Sequence, residues 1–174
     1  MNVKSRLSLL FLVVGIVNTA LALTVNQWKL SPDGLGPIKI GMTLKEVAKI
    51  KGLQLSGNKP DAYESERCYT ETLKGVKHVL LMISNGKVVR ISISSPKIYT
   101  SKGAHIGDSE AKVQALYSDK LAVEKHRYEE KGHYLTFVVK QPQERAIRFE
   151  TDGKKITRIY AGQAPEVYYV EDCL

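Results

Sequence analysis

Cysteine, tryptophan, phenylalanine and catalytic motifs are all scarce in this 174-residue chain, which holds two cysteines, one tryptophan and three phenylalanines. Neither Cys68 nor Cys173 has another Cys or a His at ligand spacing, which argues against a thiolate metal site. The four histidines, His78, His105, His126 and His133, include no pair at the i, i+4 spacing of a helical metal motif. H-E-x-x-H, G-x-S-x-G and G-x-x-x-x-G-K-[ST] are absent, so no catalytic constellation, cofactor or metal is read from the chain. Low-complexity segments are missing too. After the first two dozen residues no apolar run reaches the roughly 20 residues a spanning helix needs.

The first residues point to a compartment. Lys4 and Arg6 precede an apolar core over residues 7–17, and Ala20-Leu21-Ala22 supplies a small-x-small cleavage site. That pattern predicts a secretory signal peptide over residues 1–22. An apolar core of 11 residues is too short to span a bilayer, so a membrane anchor is not expected. No cysteine stands directly after the cleavage site, against a lipid-anchored product. The mature chain, residues 23–174, has the size of one domain and is expected to be periplasmic or secreted. Without Lys4 and Arg6 it carries 24 basic and 18 acidic residues. Such an excess suits acidic envelope surfaces or an acidic protein, but the charges are interspersed, as on an ordinary soluble surface. Nucleic acid is not an expected partner of an exported chain. Its two cysteines have a single intramolecular pairing, so a Cys68–Cys173 disulfide is predicted, enclosing 104 residues and tying the tail to the first half. A reactive thiol would require a reducing compartment.

What the chain does have is a repeat. Ile40-Gly41-Met42-Thr43-Leu44-Lys45-Glu46-Val47 returns 66 residues later as Ile106-Gly107-Asp108-Ser109-Glu110-Ala111-Lys112-Val113. Asn85-Gly86-Lys87-Val88-Val89-Arg90-Ile91 returns as Asp152-Gly153-Lys154-Lys155-Ile156-Thr157-Arg158-Ile159, with one residue inserted. Two cues at nearly one offset mark a duplicated unit. The expected fold is α+β: two repeats, about residues 36–98 and 102–174, each a short helix followed by antiparallel strands, in one sheet or closely packed sheets. Thr43 with Glu46 forms a capping box and Gly52 marks a stop; Asp108 or Ser109 caps the second helix. Residues 31–37, rich in Pro, Gly and Asp, read as a loop. Strands are predicted at 65–72, 76–84, 87–94, 121–128, 133–140, 145–151 and 155–161, with a short one at 167–171. Asn85-Gly86 between apolar runs is a hairpin signal. Residues 95–103 lack the composition of a flexible linker, so the halves are expected to pack together.

Candidate functional residues are few. His126 and His133 bracket a predicted hairpin, where their rings could approach each other. Glu64 with Glu66, Glu129 with Glu130, and Glu171 with Asp172 read as solvated loop charge. Nine tyrosines stand out, because tyrosine combines a rigid apolar ring with a polar tip and is enriched at interfaces. Tyr117, Tyr128, Tyr134, Tyr160, Tyr168 and Tyr169 all fall in the second half or the tail. They either form a docking face or fill and rim a core poor in phenylalanine.

The repeated Ile-Gly-x-[Thr/Ser] lead-in to a short helix before antiparallel strands resembles the tandem units of the β-lactamase inhibitory protein. The single unit also looks like the small outer-membrane assembly lipoproteins of the SmpA/OmlA (BamE-like) type, and Tyr169-Val170-Glu171-Asp172-Cys173 is similar to the tails of exported bacterial tandem proteins. These resemblances imply an inhibitor-like scaffold. The inhibitor closes a small disulfide loop in each half, whereas this chain has one long-range pair, so its contacts are not carried over. The expected function is non-catalytic recognition of a protein or envelope component through a sheet face. An envelope hydrolase and an outer-membrane assembly accessory are the alternatives.

Overall fold

The computed structural model describes residues 25–58, 67–140 and 142–173. The signal segment expected at 1–22, the start of the strand expected at 65 and the Glu64/Glu66 pair lie outside them. The fold is α+β, with most of the strand residues in one antiparallel sheet. In chain order the elements are β1 (Lys29–Ser31), β2 (Gly34–Leu35), β3 (Ile38–Lys39), α1 (Leu44–Ala48), β4 (Cys68–Leu73), β5 (Val76–Ser84), β6 (Lys87–Ile93) and β7 (Tyr99–Thr100). These are followed by α2 (Glu110–Tyr117), β8 (Leu121–Lys125), β9 (His133–Val139), β10 (Arg145–Thr151) and β11 (Ile156–Gln163). One 3-10 turn, Ser118–Lys120, follows α2, and another, Glu166–Tyr168, opens the tail.

The seven-stranded sheet runs β4-β5-β6-β11-β10-β9-β8, so the halves meet at its centre, where β6 and β11 pair antiparallel. Local chemistry repeats in both halves. Gly41 and Gly107 adopt φ of 92° and 94°, a region that favours glycine, and each turns the chain into a helix cap. Gly41 N–H donates to Val88 C=O at 2.7 Å and Gly107 N–H to Ile156 C=O at 2.9 Å. Val88 and Ile156 return bonds of 2.8 Å to the carbonyls of Met42 and Asp108. The repeated cues of the sequence are thus hydrogen-bonded to each other within each half. The caps match as well: Thr43 and Ser109 each accept from the N–H three residues on.

Helix α1 stops at Ala48, short of Gly52. Lys49 and Ile50 bond three residues back, so the chain tightens into turns before the glycine is reached, and Leu53 bonds back to Ile50 across it. Asn85 and Gly86 take φ of 49° and 75°, the positive values a type I′ turn needs between β5 and β6. Gly162 answers a closer constraint, because a Cβ there would lie 2.4 Å from the Val89 carbonyl oxygen across the β6–β11 junction.

Alternation on the strands divides the sheet into two faces. Leu81, Ile83, Ile91, Ile93, Leu135, Ile147, Phe149 and Ile159 bury against Val47 and Val113 of the helices and Leu30, Leu35 and Ile38 of a second, small sheet. That sheet, β3-β2-β1-β7, occupies the segment expected to be a loop, with β7 parallel to β1. The joint between the halves is therefore pinned, with Ile98 and Thr100 buried. Across the opposite face runs the tail. Val167 covers Ala146 and Tyr160, and Cys173 covers Met82 and Val89. The strand expected at 167–171 is instead the 3-10 turn and an irregular stretch. Cys68 and Cys173 are disulfide-bonded, their Cα atoms 5.3 Å apart.

Asp108 ties α2 to the turn before it. Its carboxylate accepts from Lys112 Nζ at 2.7 Å and from the His105 N–H at 2.9 Å. Burial alone would raise this carboxyl, but those hydrogen bonds and the charges of His105 and Lys112 hold it below the ordinary carboxylate range. A depressed folded-state value contributes stability above the unfolded carboxylate range, about pH 4, that is lost as pH falls through the folded value. Asp108→Asn is therefore expected to lose stability at neutral pH and to approach the parent in urea titrations as pH falls from about 4 through the lower folded value. A gap as wide at low pH as at neutral pH would contradict this.

Candidate functional site

The tail side of the sheet is built from arginine and tyrosine. Arg90, on β6, is fully buried and its guanidinium lies 4.6 Å from the centre of the Tyr160 ring on β11. Its Nη1 donates to the carbonyls of Glu166 at 3.2 Å and Tyr169 at 2.8 Å, and its Nη2 to Asp172. Arg158, on β11, donates to the other Asp172 oxygen at 3.2 Å. On β10, Arg148 lies 4.2 Å from the Tyr134 ring and 5.7 Å from that of Tyr168, donates to Thr136 at 3.2 Å and pairs with Glu124 at 2.9 Å. His126 continues the stack on Tyr134, with centroids 4.5 Å apart.

The six tyrosines do not form one exposed surface. Tyr117 packs on the helix side, 5.3 Å from Phe149 and 5.2 Å from Phe137, and belongs to the core. Tyr134 and Tyr160 lie on the tail side but are buried, because strand alternation turns them under the tail and the β8–β9 end. Tyr168 is half-buried and donates to Glu144 at 2.9 Å. Tyr128 and Tyr169 are exposed, at 63% and 44%. These last two stand together in a cleft of about 410 Å³ lined by Arg127, Tyr128, Tyr169, Val170, Glu171 and Asp172. The Tyr128 hydroxyl donates to Glu171 across it.

Ionisation of these phenols is suppressed. Burial, with the charge of Glu150, pushes Tyr160 far up; burial and then the bond to Glu144 push Tyr168 to about 12. Tyr128 is raised chiefly by its bond to Glu171. All three stay protonated at physiological pH.

His126 and His133 do not come together. His126 accepts from the N–H groups of Tyr128 and Glu129 at 3.1 and 3.0 Å, shaping the turn, whereas His133 lies 2.9 Å from Glu110 of α2. His105 pairs with Asp108 at 3.1 Å, and burial, then Lys97, lowers His78. Among the described residues no group of three or more His, Cys, Asp or Glu could hold a metal ion, and no helix is long and apolar enough to cross a membrane. Of the expected carboxylate pairs, Glu171 and Asp172 are engaged with Tyr128 and with the two arginines.

The arginines were not singled out by sequence reasoning, yet a signal existed. Arg90 and Arg158 each stand just before the last isoleucine of the repeated hairpin cue, a charge kept at the same place in two strands that are otherwise largely apolar. No family model matches the chain, and no curated protein matches it. Among solved structures it is similar to the uncharacterized protein yfeY from Escherichia coli, at a TM-score of 0.49 and 14% identity over 78% of this chain and 99% of that one.

Proposed function

We propose that this chain is an exported, non-catalytic binding protein that recognises a protein or envelope component with the tail side of its sheet. The observation that carries the reading is the cleft in which Tyr128 and Tyr169 stay exposed beside Arg127 and Glu171. Exposed tyrosine rings present large contact area at little side-chain entropic cost, and tyrosine and arginine are enriched in binding hot spots. The cystine fits an oxidising compartment outside the cytoplasm. An inhibitor-like role, in which the rigid face occupies a partner's site, belongs to the same proposal.

Replacing Tyr128 and Tyr169 together by alanine is expected to weaken partner binding at least tenfold, because two such side chains together supply more than the roughly 1.4 kcal/mol that a decade requires. Immobilised wild-type protein should retain a discrete set of envelope components that the double variant loses. Identical captures by the two proteins would contradict the reading.

A further inference from the structure

We propose that the paired arginines on the tail side form a second binding site, for an acidic segment of a partner protein, which the chain's own tail fills as a reducible strap. This does not rest on the cleft, which exists only while the tail is in place. Arg90 and Arg158 come from matching positions of the two repeats and meet on one carboxylate, that of Asp172. Arg90 also takes the main-chain carbonyls of residues 166 and 169. A site that reads backbone carbonyls and, three residues further on, a side-chain carboxylate is a site for an acidic peptide.

The tail leaves this face under-used. Arg90 Nε, Arg148 Nε and the Tyr160 hydroxyl are shielded beneath it without a hydrogen-bond partner among the described groups. Buried donors without acceptors are a cost that another occupant, or solvent, relieves. When Asp172 leaves with the tail, the carboxylate that Arg90 and Arg158 share leaves with it, and the two guanidinium groups are left without an acidic partner on this face among the described residues. Apolar cover of the tail on this face comes from Val167 and Cys173, and its covalent hold is the cystine. A dithiol, small or of a thioredoxin-like protein, opens it: two electrons and two protons pass to the cystine, the S–S bond breaks to give two thiols, and the dithiol leaves as its own disulfide.

The test is fluorescence anisotropy with a labelled peptide copying residues 166–172. Oxidised wild-type protein, wild-type protein reduced with dithiothreitol, and a Cys68→Ser/Cys173→Ser variant are compared. Reduced and cysteine-free proteins should bind at least tenfold more tightly than the oxidised one. That gain should vanish when the peptide carries asparagine at the position matching Asp172, which both arginines hold, and Arg158→Ala should narrow it without abolishing it. Equal binding in all arms, or a gain that survives the asparagine peptide, overturns the proposal. Loss of the folded far-UV circular dichroism spectrum on opening the cystine overturns it too, because a removable strap must leave the sheet standing. Dimerisation of the reduced chain in light scattering would place a second copy's tail in the site and overturn the choice of occupant.

Discussion

Replacing Cys68 and Cys173 by serine is expected to lower the free energy of unfolding by about 4–5 kcal/mol, the loop-closure value for a ring of this size. The bond joins residues 105 apart in sequence, so its loss frees nearly two thirds of the chain in the unfolded ensemble. The native sheet keeps its strands, because both cysteines sit at the tail-covered face and outside the main core. Urea denaturation of the two proteins should show the midpoint falling while the circular dichroism of the native baseline is unchanged. A difference under about 1 kcal/mol would mean that the tail does not close this loop in solution.

Arg90→Ala is expected to cost about 3–5 kcal/mol, the range for breaking a buried ion pair from one side. It strips the partner from two carbonyls, leaves Asp172 to Arg158 alone, and opens a void over the Tyr160 ring. Arg158→Ala removes the repeat-equivalent side chain from the same carboxylate, yet should cost below about 1 kcal/mol, because Arg158 is 32% exposed and water replaces it. Lysine at position 90 should not restore stability, since an ammonium cannot span the geometry a guanidinium fork does. The comparison is decisive as a pair of denaturation curves. Equal losses would show that burial does not set the worth of these two contacts.

The parts of the fold legible in the sequence were those in which one residue type answers one backbone demand. Gly41 and Gly107 at positive φ, Thr43 and Ser109 as caps, and Asn85-Gly86 in the hairpin all carry that signal locally. The small sheet was not legible, because strands of two or three residues have no periodicity and Pro32, Asp33 and Gly34 read as turn chemistry. The tail was misread as a strand for a related reason. Val167-Tyr168-Tyr169-Val170 is a run of strand-favouring residues, but the carbonyls of Glu166 and Tyr169 are taken by the Arg90 side chain.

For the candidate site, residue type pointed to tyrosine but could not sort exposed rings from buried ones. That sorting depends on which strand parity the tail covers, a long-range fact invisible in any one segment. Tyr134 and Tyr160 went under the tail and its neighbouring loop, Tyr117 went into the core, and Tyr128 and Tyr169 stayed outside. Arg90, sitting inside an apolar strand, was the overlooked residue, and only its repetition at Arg158 sets it apart.

That the two repeats make one cooperative body, joined where β6 meets β11, is tested most directly by native-state hydrogen exchange. Amides of Lys87–Ile93 and Ile156–Gln163 are expected to be among the slowest and to open together, with the free energy of global unfolding. Exchange of one repeat's strands at a free energy clearly below that of the other's would contradict the account.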